Sequence, residues 1–239
     1  MMNWKQLISA KRFGMEEFHE ERQENRSEFQ RDYDRLIFSA PFRRLQNKTQ
    51  VFPLPGSVFV HNRLTHSLEV ASVGRSLGDD VAKALLERHP ELQDSFLPEI
   101  GSIVSAACLA HDLGNPPFGH SGEKAISTFF SEGKGVRLKE KQPNGEQLSP
   151  MEWEDLTHFE GNANAFRILT HQFEGRRKGG FVLTYTTLAS IVKYPFSSSL
   201  ARTKSKFGFF VSEEESFQKI ATELGLTLLN EHPLKYARH

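Results

Sequence analysis

The chain has 239 residues, in which 30 Lys and Arg balance 30 Asp and Glu, so its formal net charge at pH 7 is zero. This length fits one domain or two small ones, and the charge balance excludes a strongly basic, duplex-binding composition. A single cysteine, Cys108, excludes a disulfide framework and a cysteine-based zinc site. The sequence contains neither an apolar run of membrane-spanning length nor a signal-peptide core, so we expect a cytoplasmic globular protein.

The N-terminal part is rich in charge. Residues 11–35 carry dense mixed charge with few apolar residues, which favours an exposed arm. We therefore predict a charged arm over residues 1–30 and a core over residues 31–239. Within that core, prolines and a glycine interrupt residues 49–60, which predicts a short extended segment.

The clearest predicted helix covers residues 63–88. An apolar stripe recurs there at spacings of three and four, which is typical of a buried helix face. The stripe consists of Val70, Val73, Leu77, Val81 and Leu85. Projected backwards by one turn, it reaches His66, so we expect this histidine to point inward.

A second helix is predicted over about 99–112, with Val104, Ala107 and Cys108 on its inner face and His111 one turn further on. Gly114 supplies a helix stop. Further helices are expected at about 121–131, 155–174, 184–193 and 213–224. Because strand patterns are scarce, the predicted fold class is all-α, with only the short extended segment near 49–60.

The first candidate site consists of His66, His111 and Asp112. Imidazole nitrogens with a carboxylate oxygen suit a hard or borderline divalent ion such as Mn, Mg, Fe, Co or Ni. A hydrogen-bonded core histidine beside a polar helix end explains the same spacing, so spacing alone leaves both interpretations open.

A second candidate pair, His120 and Glu123, lies three residues apart at the start of the next helix. A histidine oriented by a carboxylate is a reasonable general acid/base pair. The alternative is a capping arrangement, with Ser121 as the N-cap and Glu123 in the first turn.

Other polar residues are less specific. Arg63 lies one turn before His66, where it could reach an anion bound at a metal. On spacing alone, a third cluster is more typical of a polar helix face; it consists of His158, Glu160, Asn162 and Arg167. Later basic residues suit a small polyanion better than a duplex; they are Lys193, Arg202, Lys204 and Lys206.

Four segments together resemble a known family. RLTHSLEV, AHDLGNPPFGHSGE, DLTHFEGNAN and the upstream RRLQNKTQVFPL are similar to motifs of bacterial deoxyguanosine triphosphate triphosphohydrolases, which are HD-domain phosphohydrolases. The resemblance covers about residues 31–239. It implies an all-α HD fold that hydrolyses a deoxynucleoside triphosphate, with dGTP expected, to the deoxynucleoside and tripolyphosphate.

The resemblance also implies roles for particular residues. The metal ligands would be His66, His111 and Asp112, with Mg or Mn expected and Fe, Co or Ni also compatible. The catalytic residues would be His120 and Glu123. The substrate-binding residues would be Gln50, Val51, Arg63, His158, Asn162, Lys193, Tyr194 and Lys206.

The family pattern extends beyond this sequence. It includes a fourth metal ligand, an Asp in a helix after a segment resembling HPLKYARH, whereas the sequence ends at His239. The resemblance therefore implies an N-terminal half, truncated at its C-terminal end. It further implies a homo-oligomer, a tetramer or hexamer in full-length form, and a single-stranded DNA effector.

Three alternatives remain at this point. One is an HD phosphohydrolase that acts on another nucleotide, and another is a catalytically inactive fragment. The third is a nucleic-acid-binding module that uses the basic segments 175–180 and 201–206.

Overall fold

The computed structural model describes residues 2–17, 26–49, 61–140, 142, 145–175, 178–203, 206–229 and 234–239, without the side chains of 201–203. The predicted extended segment at 49–60 therefore lies outside the described residues, except for Thr49. That residue pairs with Asn62 in an isolated antiparallel bridge.

Helices dominate the described residues. The α-helices are α1 (Trp4–Leu7), α2 (Glu28–Ile37), α3 (Ala40–Arg44), α4 (Arg63–Arg88), α5 (Ile100–Ala110), α6 (His120–Ser131), α7 (Pro150–Thr157), α8 (Gly161–Thr170), α9 (Tyr185–Ile191) and α10 (Glu214–Leu224). Short 3-10 helices cover Leu45–Asn47, Pro90–Leu92, Leu97–Glu99, Lys134–Lys139, Ser198–Thr203 and Val211–Glu213. Extended pairing in these ranges is limited to isolated bridges, and the predicted all-α class is confirmed. None of the helices in the described ranges has the length and apolar character that a membrane span requires.

Helix α5 lies at the centre of the packing. It contacts α4 on one side and α2 and α9 on others. Its side chains are buried around most of the circumference, including Ile103, Ala106, Leu109 and Ala110. The residues that follow its C-terminal end, starting with His111, are therefore held at a fixed edge of the hydrophobic core.

The helix predicted over 63–88 is present as α4, but its predicted buried face is wrong. Val73, Leu77 and Val81 are 61%, 60% and 50% exposed. The buried face consists of small residues and the first arginine, namely Arg63, Ser67, Ala71, Gly74, Gly78 and Ala82. Only small side chains fit on this face because α4 and α5 approach closely. A Cβ on Gly78 would lie 2.8 Å from the Gly101 Cα.

The single helix predicted over about 155–174 is also wrong, because two helices occupy this region. α7 ends at Thr157, and α8 begins at Gly161. Glu160 separates them as the N-cap of α8, where its side chain accepts hydrogen bonds from the Asn162 and Ala163 amides. The predicted helices at 121–131, 184–193 and 213–224 correspond to α6, α9 and α10.

The described part of the N-terminal segment packs into the fold, contrary to the exposed arm that charge density predicts. Phe13 is 8% exposed and Phe29 is fully buried. Arg12 explains how charge is accommodated here, because it donates to Asp32 at 2.7 Å and to the Val182 carbonyl at 2.6 Å. Fully buried Asp32 also accepts from the Thr184 hydroxyl at 2.7 Å. Arg12 and Asp32 are thus paired inside the fold, and they attach the described part of this segment to it.

Candidate active site

The starts and ends of two helices bring His66, His111 and Asp112 together. One ligand atom from each lies within 4.8 Å of the others. His66 is in the first turn of α4, whose start is fixed by a capping box between Asn62 and Thr65. His111 and Asp112 directly follow α5. The sequence prediction that these three residues converge agrees with this geometry.

The two histidines are arranged as nitrogen ligands. The His111 Nδ1 lies 2.6 Å from the Cys108 carbonyl oxygen, which makes Nδ1 the protonated nitrogen and leaves the Nε2 lone pair facing the group. Partial burial lowers the pKa of His66, and the charge of His111 acts in the same direction against the opposing carboxylate of Asp112. A lowered pKa keeps the His66 imidazole neutral near pH 7, which metal ligation requires.

Asp112 is the buried carboxylate of the group, with 3% exposure. Its Oδ1 accepts from Arg63 Nη1 at 2.8 Å and from Asn115 Nδ2 at 2.5 Å. Its Oδ2 is buried and has no hydrogen-bond partner. A buried carboxylate oxygen without a partner is costly. The donor set and this orphaned oxygen therefore fit a bound divalent cation.

Arg63 lies beside the metal-ligand group. Its guanidinium is buried against Asp112, one of the three residues of that group. Gly119 lies beside it with φ +55°, and a Cβ there would be 3.3 Å from Arg63 Nη2. The loop that leads into α6 therefore passes directly over the guanidinium.

His120 and Glu123 form the predicted pair on the first turn of α6. Nδ1 of His120 lies 2.8 Å from Glu123 Oε2, and the imidazole is 85% exposed. Ser121 is not the N-cap, because Gly119 occupies that position and no side chain caps this helix, whereas Glu123 does lie in the first turn. Nε2 of His120 is therefore the nitrogen available on the outer side of the pair.

Glu123 is held ionised by its neighbours. Burial favours its neutral form, but hydrogen bonds from the Gly161 amide and from His120, together with the charge of Lys206, outweigh this and lower its pKa. The Gly161 amide donates to Glu123 Oε1 at 2.9 Å. Oε1 is thus anchored to the start of α8, while Oε2 faces His120.

The DLTHFEGNAN segment contributes Glu160 beneath this pair. Glu160 is 1% exposed and accepts from Lys206 at 2.8 Å and from the Asn162 amide side chain at 2.8 Å. Lys206 also lies 3.5 Å from Glu123. Partial burial opposes the charged ammonium, but the two carboxylates outweigh it and raise the pKa of Lys206. Lys206 and Asn162 therefore lie next to the His120–Glu123 pair.

Gly114 allows the loop from Asp112 to Gly119 to pack against α8. The predicted role of Gly114 as a helix stop is wrong, because α5 already ends at Ala110. A Cβ on Gly114 would lie 2.1 Å from the Ala165 amide nitrogen, so only glycine fits this close approach. Asn164 reinforces the contact by donating to the Gly114 carbonyl at 2.9 Å. This loop connects the metal-ligand group to the His120–Glu123 pair.

Other predicted residues lie away from these contacts or outside the described residues. His158 is exposed and pairs with Glu154 at 3.4 Å. Lys193 is exposed and lies over the ring of Tyr194. The remaining predicted residues lie outside the described part of the chain; they are Gln50, Val51, Arg176, Arg177, Lys204 and the side chain of Arg202.

Sequence reasoning missed two residues that shape the site. Asn115 holds Asp112, and Lys48 donates to the Asn115 carbonyl at 3.0 Å. Asn115 follows Asp112 by three residues, a spacing that permits their side chains to meet. The Asn-Pro-Pro sequence that begins at Asn115, however, predicts only a turn. Lys48 is distant in sequence from both residues, so no local pattern could reveal it.

Comparison with known proteins identifies a matching domain family and named relatives. Residues 63–180 match the HD domain family. The chain is 47% identical to a deoxyguanosinetriphosphate triphosphohydrolase-like protein of Synechocystis over 94% of its length, and 45% identical to one of Pseudomonas aeruginosa over 100%. It is 36% identical to the deoxyguanosinetriphosphate triphosphohydrolase of Yersinia enterocolitica over 98% of its length.

These matches define the class of the protein. The region from α4 to residue 180 is an HD domain. Over nearly all of its length it is related to proteins named deoxyguanosinetriphosphate triphosphohydrolase or deoxyguanosinetriphosphate triphosphohydrolase-like, and the resemblance found in the motifs is confirmed. The chain spans about half the length of these relatives, 51–52% in the three described.

Proposed function

We propose that this chain provides the catalytic groups for metal-dependent hydrolysis of deoxynucleoside triphosphates, with dGTP expected, to the deoxynucleoside and tripolyphosphate. The observation that carries the proposal is the single loop that joins two chemically different groups. The group of His66, His111 and Asp112 lies at one end of the loop from Asp112 to Gly119. The pair of His120 and Glu123 lies at the other end. The names of the related proteins support the choice of substrate.

His66, His111 and Asp112 would hold the metal. A divalent ion there would polarise the α-phosphoryl group and offset the negative charge that develops on its oxygens. Mg or Mn is the expected ion, and the ligand set also admits Fe, Co or Ni.

His120 would transfer the proton. Its Nδ1 is oriented by the ionised carboxylate of Glu123, so Nε2 is free to accept a proton from water or to deliver one to the departing sugar 5′ oxygen. Both roles are compatible with the geometry. In either role, the bond that breaks joins the α-phosphorus to the 5′ oxygen, and water supplies the new oxygen on phosphorus.

Lys206, Asn162 and Arg63 would bind the phosphates. Lys206 already lies beside Glu123, and its raised pKa keeps it charged. Its present partner, Glu160, would share it with a phosphate oxygen, which is a common arrangement for a lysine at a polyanion site. Several expectations remain predictions. They are the homo-oligomer, the single-stranded DNA effector, the cytoplasmic location, and the substrate contacts of Gln50, Val51, His158, Lys193 and Tyr194.

The variant His120→Ala tests the division of labour between the two groups. We expect the hydrolysis rate of dGTP to fall by about 100- to 10,000-fold, because general acid/base catalysis contributes this much. The affinity for Mn²⁺, measured by equilibrium dialysis, should be unchanged, because His120 is outside the metal-ligand group. His89→Ala is the matched control, since His89 is also an exposed histidine paired with a glutamate.

Full hydrolysis by His120→Ala would contradict the proposed role. Loss of Mn²⁺ binding in the same variant would also contradict it, because His120 would then belong to the metal site.

A further inference from the structure

A second group of metal-ligating residues lies next to the proposed centre. His61, His66 and Glu69 also place one ligand atom each within 4.8 Å of one another. His61 Nε2 lies 3.5 Å from Glu69 Oε2. None of the sequence motifs assigned a role to His61 or Glu69.

His66 belongs to both groups. Its ring centroid is 5.3 Å from that of His111 and 6.1 Å from that of His61. One imidazole is thus flanked by an inner pair, His111 and Asp112, and by an outer pair, His61 and Glu69. The inner pair is the more buried, because Asp112 has 5% side-chain exposure whereas Glu69 has 56%.

We infer that His61 and Glu69 form a second, outer binding site for a divalent cation beside the inner one. A neutral imidazole offers a single lone pair, so His66 is a ligand of the inner ion and the outer ion depends on His61 and Glu69. Water or phosphate oxygens complete its coordination, as they do where manganese or magnesium is held by few protein ligands. The nitrogen and oxygen donors favour Mn²⁺ over Ca²⁺.

The outer site deepens the proposed function, and this part of the inference rests on it. An ion at His61 and Glu69 would bind the β- and γ-phosphates of a triphosphate whose α-phosphate faces the inner group. Two adjacent cations form a common clamp for phosphoryl groups. The exposure of His61 and Glu69 leaves the outer position accessible to a polyanion.

The test is the number of Mn²⁺ ions bound per chain, measured by electron paramagnetic resonance of free Mn²⁺ during a titration without nucleotide. We expect the unmodified chain to bind two ions, one tightly and one more weakly. His61→Ala and Glu69→Gln should each remove the weaker ion and retain the tight one. His111→Ala should remove the tight ion.

A matched control is available in another exposed pair. His89 Nδ1 lies 3.1 Å from Glu91 Oε1, closer than His61 Nε2 is to Glu69 Oε2, but neither residue belongs to a metal-ligand group among the described residues. His89→Ala should therefore leave both ions bound. If it removed the weaker ion, that ion would be held by an ordinary surface pair and the inference would be wrong.

Three other results would overturn the inference. A single ion that persists in His61→Ala would show that the outer site is absent, while the proposed function would stand. Complete loss of binding in both His61→Ala and His111→Ala would indicate one mixed site. An unmodified chain that binds no Mn²⁺ would overturn both the inference and the proposed centre.

Discussion

At the scale of single residues, burial favours the neutral form of two carboxylates, and their neighbours decide the outcome. Glu123 is partly buried, but hydrogen bonds and the charge of Lys206 outweigh burial, so its pKa is lowered and it can orient His120 as a carboxylate. Asp155 on α7 is 9% exposed, and its Oδ1 has no hydrogen-bond partner. Burial raises the pKa of Asp155 to about 6, with the charges of Glu213 and Glu214 acting in the same direction against the hydrogen bond that the Val211 amide donates. A partly or fully buried carboxylate therefore stays ionised only where its neighbours outweigh the cost of burial.

Asp155 predicts a pH dependence of stability. Its folded pKa of about 6 exceeds the ordinary value of 3.8, so between these values the folded chain holds a proton that the unfolded chain has lost. Stability from this residue is therefore present at low pH and lost as pH rises through about 6. Asp155→Asn should remove that loss, and its unfolding free energy in urea should exceed that of the unmodified chain at about pH 8 but not at about pH 4.

Asp94→Asn is the control, because Asp94 is an exposed carboxylate. Its effect on the unfolding free energy should be small at both pH values. If Asp155→Asn were equally destabilising at both pH values, the raised pKa would be contradicted, because the carboxylate would act only through its hydrogen bond to the Val211 amide.

The residue scale also shows how much of the site the sequence could predict. His111 with Asp112, and His120 with Glu123, are pairs that are close in sequence, so helix spacing and family motifs find them. His66 comes from a different helix, α4, and its place in the group is indicated by the family motif. Glu160 looked like part of a polar helix face, but it is buried because Lys206 reaches it from 46 residues away. Contacts of that kind depend on the fold, and no local pattern contains them.

At the scale of elements, the packing of α4 on α5 is set by small side chains. Periodicity correctly predicted the length of α4 but selected the wrong face, because it assumes that the largest apolar residues are the buried ones. Close helix contact instead requires residues such as Gly74, Gly78 and Gly101, which a hydrophobic pattern scores as neutral. Val73, Leu77 and Val81 of the predicted stripe are consequently exposed, whereas Leu85 is partly buried against the core.

Gly78→Ala tests this packing. The added Cβ would meet backbone atoms of Gly101 at 2.8 and 3.0 Å, so α4 and α5 must separate. We expect a loss of about 1–3 kcal/mol in unfolding free energy from overpacking. That loss opposes the gain of roughly 1 kcal/mol that alanine brings to a helix interior. Urea unfolding followed by circular dichroism measures the difference.

Leu77→Ala is the matched control, because it is the neighbouring residue and is 60% exposed. Its unfolding free energy should change by only about 0.5 kcal/mol. A larger loss in Leu77→Ala than in Gly78→Ala would restore the apolar stripe as the buried face and contradict the packing described here.

At the scale of the whole molecule, distant parts of the chain are joined around α5. Arg12 and Asp32 near the start meet Val182 and Thr184 in the region of α9. These contacts anchor the N-terminal segment, which composition alone described as an exposed arm. They could not be predicted from sequence, because a charged stretch gives no indication of a buried partner 150 residues away. The same packing holds α5 in place and thereby fixes His111 and Asp112 relative to α4.

We propose that this scaffold directs water to the α-phosphorus of a deoxynucleoside triphosphate. The most direct measurement is hydrolysis of dGTP in ¹⁸O-labelled water with Mn²⁺, with products separated by ion exchange and analysed by mass spectrometry. We predict deoxyguanosine without label and intact tripolyphosphate that carries one ¹⁸O atom. Orthophosphate or pyrophosphate as the product, label in deoxyguanosine, or no product would contradict the account.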